Sequence, residues 1–140
     1  MISHSILINA SREVVFGLYQ DVASWPKWDE ETTAVRLQQG LRPGAVGWLK
    51  PRQGPRARIR VRDVMPLESF TVEGQLPLCR MIFGHDLKSV SGQTNVTHWV
   101  AFEGPLAFLF RKLIGAGIDS SLPRTLQGLK RASEANGGGR

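Results

Sequence analysis

The sequence RMIFGHDLKSVSGQTNVTHWVAFE occupies residues 80–103 and carries the pattern that decides the fold. Apolar and polar residues alternate on both sides of a Ser91–Thr94 turn, as expected for a half-buried hairpin. The pattern predicts two antiparallel strands at about residues 80–90 and 95–103. One face of this hairpin is apolar and points to the core.

Two histidines interrupt the apolar face of this hairpin. If the turn loop is residues 92–93, His85 lies opposite Val100 and His98 lies opposite Leu87. The histidines are then diagonal neighbours, about 7–8 Å apart. Imidazole titrates near neutrality, so they could anchor a ligand or act as general acid and base. The alternative is that each is a core histidine satisfied by a neighbouring hydroxyl or by the backbone.

Five further strands are predicted outward from the hairpin, toward the N-terminus. Each is a short alternating or apolar run bounded by glycine, proline or polar turn residues. They lie near residues 3–9, 33–38, 46–50, 56–62 and 69–73. His4 in the first strand lies beside polar residues and is expected to be solvated.

The strand at residues 56–62 alternates without exception. Ala57, Ile59 and Val61 share one face, and the other face carries four arginines. The four are Arg56, Arg58, Arg60 and Arg62. They are expected on the convex side of the sheet. They could contact an anionic partner, or form a solvated surface paired with Glu68, Glu73 or Asp86.

Helical patterns occupy two places in the chain. Ser11 is suited to cap a helix at about residues 12–20, and Pro26 then indicates a break and a second short helix or turn. The segment from Pro105 to about Ala132 predicts one long helix with an apolar stripe toward the sheet. The stripe comprises Leu106, Leu109, Phe110, Leu113, Gly117, Ile118, Leu122, Leu126 and Leu129.

The order of these elements predicts an α+β fold. A strand, two short helices, six strands and a long helix give a seven-stranded curved antiparallel sheet wrapped around the C-terminal helix. With 140 residues the chain is expected to form one domain over residues 1–134, followed by a disordered tail at 135–140.

Composition and motifs exclude several classes of function. Cys79 is the only cysteine, and no apolar run approaches the roughly 20 residues of a membrane helix. The N-terminus does not resemble a secretory signal, so a cytoplasmic protein without membrane insertion is expected. The net charge of +6 is accompanied by no zinc or recognition-helix pattern, so no nucleic-acid partner is expected. Hydrolase, phosphate-binding and dinucleotide motifs are absent, and neither a cofactor nor a metal is predicted.

Four short motifs occur in an order typical of a known superfamily. They are Asp21–Asp29, Leu41–Gly47, the hairpin sequences His85–Lys88 and Gly92–His98, and Gly104–Leu106. Together they resemble bacterial members of the START-like, or SRPBCC, superfamily, which includes proteins similar to polyketide cyclases and dehydrases. The resemblance extends to about Ala132 and implies the helix-grip fold, but it does not decide the chemistry.

The predicted function is binding of a small hydrophobic or amphipathic molecule in a cavity between the sheet and the C-terminal helix. The expected lining is Trp48, Ile59, Phe70, Met81, Phe83, His85, His98, Val100, Leu113 and Gly117. The alternative is a cyclase or dehydratase type of enzyme with His85 or His98 as acid and base. The protein could be a monomer or a homodimer.

Overall fold

The computed structural model describes residues 1–138 and has the predicted element order. The elements are β1 (Ile2–Ile8), α1 (Arg12–Gln20), α2 (Trp25–Trp28), β2 (Thr32–Leu37), β3 (Val46–Pro51), β4 (Ala57–Met65), β5 (Ser69–Leu76), β6 (Cys79–Val90), β7 (Gln93–Glu103) and α3 (Ala107–Ser133). A 3₁₀ turn at Val22–Ser24 joins α1 to α2.

The strands form one antiparallel sheet in the order β1-β7-β6-β5-β4-β3-β2. Strand β1 is therefore brought to the far side of the final hairpin, and the remaining strands follow as a meander. This arrangement confirms the predicted α+β fold, with a curved sheet and a long C-terminal helix. Among the described helices, none combines the length and apolar character that crossing a membrane requires.

The β6–β7 hairpin has a different register from the predicted one. Ser91 and Gly92, with φ of 50° and 82°, form the two-residue turn, and Val90 pairs with Gln93. Positive φ at both central residues is the geometry of the tight turn that best matches strand twist. The pairing slides by two residues, so the faces are kept and His85 lies directly opposite His98.

The convex face carries the arginines, as predicted. Arg56, Arg58, Arg60 and Arg62 are exposed, but the expected ion pairs with Glu68, Glu73 or Asp86 do not form among the described residues. Arg62 instead lies 3.8 Å from Glu103. A register shift between Val61 and Asp63 keeps the Asp63 carboxylate on this outer face beside Thr71.

Helix α1 fills a large part of the concave face. Ser11 caps it by accepting the Val14 N–H. Its residues Val15, Phe16 and Tyr19 are buried, and they join Phe70 of β5 in one apolar core. The rings of Tyr19 and Phe70 are 4.8 Å apart, edge to face. The interior of this half of the molecule is therefore aromatic and closely packed.

Helix α3 has two unlike halves. In the C-terminal half, Leu122, Leu126 and Leu129 are buried, as predicted. In the N-terminal half, Leu113 is 67% exposed, so the prediction that it faces the sheet is wrong. At this point of α3 the side that faces the sheet carries Gly115, which lies close to Ile2 of β1. Leu113 lies on a different side of the helix.

The described chain ends in a further turn. Glu134–Gly138 continues α3 as a π-helical turn, where the sequence analysis expects disorder from residue 135. Glu134 accepts hydrogen bonds from the Asn9 N–H and from Lys130, which holds the start of this turn against the first strand. Residues 139–140 lie outside the described part of the chain.

The C-terminal half of α3 is fixed to the segment between α2 and β2. Asp29 accepts hydrogen bonds from Thr32 and from Thr125 of α3, each at 2.8 Å. Burial raises the pKa of this carboxyl, while the two hydroxyl donors oppose the rise. Gly128 lies so close to Trp28 that a Cβ there would come 1.8 Å from its carbonyl oxygen.

Replacing Gly128 with alanine should therefore destabilise the protein. The new methyl group collides with backbone, which cannot move aside alone, and overpacking of this kind costs about 1–3 kcal/mol. Gly117→Ala is the matched control, because that position is helical and has open space for a Cβ. Alanine there should raise the free energy of unfolding by about 0.5–1 kcal/mol. Urea unfolding measures both. Equal effects of the two changes would contradict the close approach at Gly128.

Candidate functional site

A row of three histidines crosses the concave face of the sheet. His4 on β1 pairs with His98 on β7, and His98 pairs with His85 on β6. The row continues to Phe70 on β5, which lies opposite His85. The antiparallel register places paired side chains on the same face, so these residues are neighbours across four strands.

His85 is held by Phe70 in two ways. Its ring stacks on the Phe70 ring at 3.9 Å, and its Nδ1 lies 3.1 Å from the Phe70 carbonyl oxygen. A carbonyl only accepts, so Nδ1 carries the proton and donates it. In the neutral ring Nε2 then has a free lone pair, and it makes no hydrogen bond to the described residues. His85 is half-buried, and this nitrogen is not among the fully buried side-chain atoms that lack a partner, so a donor from outside can reach it.

His98 is paired with the only tyrosine of the chain. Tyr19 Oη lies 2.6 Å from His98 Nε2, and either group can be the donor. Both residues are buried, with exposed fractions of 1% and 4%. The rings of His85 and His98 are 4.6 Å apart, edge to face. The bond joins helix α1 to the centre of the sheet.

Burial sets the charge state of the three groups. It lowers the pKa of His85 to about 4, although the bond to the Phe70 carbonyl opposes the shift. Burial and the nearby His85 lower the pKa of His98 as well. Burial raises the pKa of Tyr19, with smaller contributions from Asp29 and Asp86. At neutral pH these three side chains are therefore uncharged, and their polar atoms can exchange hydrogen bonds.

Seven of the ten predicted lining residues share this concave face. They are Ile59, Phe70, Met81, Phe83, His85, His98 and Val100, placed there by the registers of β4 to β7. Phe83 is half-buried, like His85. The sequence pattern therefore predicted which face of the sheet these seven side chains share.

The predicted positions of the other three residues are wrong. Trp48 pairs with Arg58, and Arg56 stacks over its ring at 4.3 Å, so Trp48 lies on the convex face. The inward positions of this short strand belong to Gly47 and Leu49, opposite Ile59 and Ala57. Leu113 and Gly117 are exposed on α3, away from the sheet.

The concave side is more filled than the sequence analysis expects. The two best-formed depressions in the described part of the chain both lie outside the space between the sheet and α3. One, of about 260 Å³, lies at the β5–β6 turn near Leu78 and Pro105. The other, of about 360 Å³, lies beside Pro123 and Arg124. Helix α1 occupies the space that the predicted cavity would need.

Two polar contacts of the histidine row are not predicted from the sequence. A buried tyrosine hydroxyl usually needs a hydrogen-bond partner, but no local pattern indicates that the partner of Tyr19 is His98. His4 is half-buried rather than solvated, and its Nε2 lies 2.7 Å from Asp119 of α3. No sequence pattern shows that β1 pairs with β7, so this contact could not be predicted.

The histidine row does not form a metal site. Within residues 1–138, no three histidine, cysteine, aspartate or glutamate side chains are grouped so that they could hold a metal ion. The partners that the rings do have are a carboxylate, a phenol and a carbonyl oxygen.

Comparison with known proteins assigns a family and a fold. The family described as "Polyketide cyclase / dehydrase and lipid transport" matches residues 1–134. No curated protein matches the chain. The protein TTHA0849 from Thermus thermophilus is similar in structure, with 17% identity, a TM-score of 0.74, and coverage of 96% of this chain and 97% of that one.

Two other solved structures have the same fold. Ara h 8.0201 is 9% identical with a TM-score of 0.75, and the match covers 96% of this chain and 97% of that one. The di-domain ARO/CYC BexL from the BE-7585A biosynthetic pathway is 20% identical with a TM-score of 0.70. That match covers 94% of this chain but 45% of BexL. At these identities the likeness shows the fold alone.

The two lowered histidine pKa values predict a loss of stability in mild acid. The unfolded chain takes up protons near pH 6.5, whereas the folded histidines remain neutral to lower pH. The free energy of unfolding is thus highest above about pH 6.5 with respect to these two groups. It falls as the pH drops toward 4, by up to about 1.4 kcal/mol per pH unit for each histidine. Urea unfolding at several pH values measures this. His85→Phe should make the slope shallower, and an unchanged slope would contradict the assignment.

Removing either partner of the Tyr19–His98 hydrogen bond should lower the free energy of unfolding by about 1–3 kcal/mol, because the other side chain is left buried without a partner. The double variant Tyr19→Phe/His98→Phe should lose less than the sum of the single losses, by about 0.5–3 kcal/mol. Urea unfolding of all four proteins completes the cycle. Additive losses would show that the two side chains do not interact.

Proposed function

Since the chain belongs to the polyketide cyclase / dehydrase and lipid transport family, we propose that it binds a small hydrophobic or amphipathic molecule on the concave face of the sheet. The binding site is centred on His85 and Phe83, next to α3. This site differs from the enclosed cavity expected from the sequence, because helix α1 already fills the middle of the concave face.

The observation that carries the proposal is the unused acceptor of His85. Its donor nitrogen is engaged by the Phe70 carbonyl, and its other nitrogen is free on a half-buried ring. When a ligand covers such an acceptor and displaces water, the loss of hydrogen bonding costs free energy unless the ligand supplies a donor. A hydroxyl group on an otherwise apolar molecule is such a donor, whereas a carboxylate would offer no proton.

The surroundings of His85 fit the apolar part of such a molecule. Phe83 is half-buried on the same face, and Val72 and Val100 lie opposite it on the neighbouring strands. Gly74 on β5 leaves room above the Phe83 ring, which a Cβ at that position would contact at 3.6 Å. Ligand sites typically combine an apolar wall with few polar groups that fix orientation.

Helix α3 leaves part of this wall accessible. It packs mainly on β1 and β7, which form one side of the sheet. The strands from β3 to β5 therefore depend on α1 and the adjoining turn for cover.

A cyclase or dehydratase type of reaction is the second candidate. Two observations favour it: the chain of contacts from Tyr19 through His98 to His85, and the fold shared with the ARO/CYC protein BexL. The charge state favours binding instead. A general base works best with a pKa near the ambient pH, and burial takes both histidines well below it.

Binding of a fluorescent fatty-alcohol probe tests the proposal, and native mass spectrometry of the purified protein would identify a retained ligand. His85→Phe should weaken probe binding about three- to tenfold, because one hydrogen bond is worth about 0.5–1.5 kcal/mol. His4→Phe is the matched control and should leave affinity unchanged, since His4 is engaged by Asp119. Equal affinity of all three proteins would refute the role of His85. Conversion of a retained ligand during incubation would favour the enzyme.

A further inference from the structure

The N-terminal half of α3 exposes more apolar surface than a solvated helix normally does. Phe108 and Leu113 are each 67% exposed, and Leu109 and Ile114 are also exposed. We refer to these four residues as the α3 apolar segment. Leu78, 68% exposed, adjoins its start because the Leu106 N–H donates to the Leu78 carbonyl. Contiguous exposed apolar surface usually marks an interaction site.

Charge around the α3 apolar segment is positive. Residues 104–118 contain Arg111 and Lys112 and no aspartate or glutamate. The carboxylates at the two ends already have polar partners. Glu103 lies within 3.8 Å of Arg62 and 3.5 Å of Arg80, and Asp119 lies 2.7 Å from His4. Lys112 is exposed among the apolar side chains, and Arg111 is also exposed, with its guanidinium group 5.9 Å from the centre of the Phe102 ring.

We infer that the α3 apolar segment docks on an anionic lipid surface. Apolar side chains with adjacent basic residues suit the boundary between lipid headgroups and acyl chains. There the apolar side chains are buried among the acyl chains, and the basic side chains contact the phosphate groups. The contact is peripheral, since no described helix is long and apolar enough to span a bilayer.

A second copy of the chain fits the segment less well. A symmetric pairing through this segment would bring Arg111 and Lys112 of both copies together. No acidic residue of 104–118 could compensate them, and Glu103 and Asp119 are committed elsewhere. Lipid phosphates supply the negative charge that a second copy lacks.

The inference is independent of the proposed ligand site. It rests on exposure and charge at α3, and the test needs no ligand. The full-length protein is floated with vesicles of phosphatidylcholine alone or mixed with phosphatidylglycerol. Binding is expected to the mixed vesicles and should weaken as salt is raised, because the attraction to headgroups is screened.

Three double variants separate the contributions of apolar area, local positive charge and net charge to vesicle binding. Phe108→Ser/Leu113→Ser removes apolar area, and Arg111→Gln/Lys112→Gln removes two charges. Each pair should weaken binding to the mixed vesicles by at least about tenfold. Arg58→Gln/Arg60→Gln removes the same charge from the convex face and should bind like the unaltered protein. Unfolding midpoints close to that of the unaltered protein are expected, because all the altered side chains are exposed.

Four results would overturn the inference. The unaltered protein could fail to float with the mixed vesicles. The convex-face pair could lose as much binding as the Arg111/Lys112 pair, which would show attraction by net charge alone. The Phe108/Leu113 pair could retain full binding. Sedimentation could instead show a dimer that this pair converts to monomer, and a second copy would then cover the segment.

Discussion

A curved sheet of seven strands must cover its apolar concave face, and this requirement shapes the rest of the molecule. Two elements meet it in different places. Helix α1 inserts Phe16 and Tyr19 against Phe70, and the C-terminal half of α3 adds Leu126 and Leu129. Burying the tyrosine ring also buries its hydroxyl, which then needs a partner. His98 supplies that partner, and so a polar pair is fixed at the centre of an apolar core.

The same pair determines what the histidines can do. A neutral, fully enclosed His98 serves the fold, because Tyr19 already occupies its Nε2. His85 differs although it lies directly opposite, since its bond to the Phe70 carbonyl leaves the second nitrogen free. Of two residues with the same sequence context, one is thus a structural group and the other a candidate ligand contact. Family membership alone could not have separated them, because the chain is only 9–20% identical to the compared structures.

The division of α3 links the two proposed surfaces. Its C-terminal half is bound to the segment after α2 through Asp29 and Gly128 and cannot move away without breaking that contact. Its N-terminal half lies beyond this attachment, with apolar residues on both the sheet side and the exposed side. A helix that is apolar on most sides is normally covered. The exposed half is therefore the part of α3 that is free to meet a partner, as inferred above for a lipid surface.

The sequence by itself determined the fold class, the order of the elements and the face of most strands. Strict alternation in β4 and in the β6–β7 hairpin reports local geometry, since neighbouring residues must point to opposite sides of a sheet. Only the tertiary structure decided the direct pairing of His85 with His98, the outward position of Trp48 and the exposure of Leu113. The pairing of the two histidines depended on which two residues of the turn take positive φ. The outward position of Trp48 depended on which residues of β3 point inward, and β3 is too short for its alternation to reveal this. The exposure of Leu113, like the bonds from Tyr19 to His98 and from His4 to Asp119, depended on how distant elements pack, which no local pattern records.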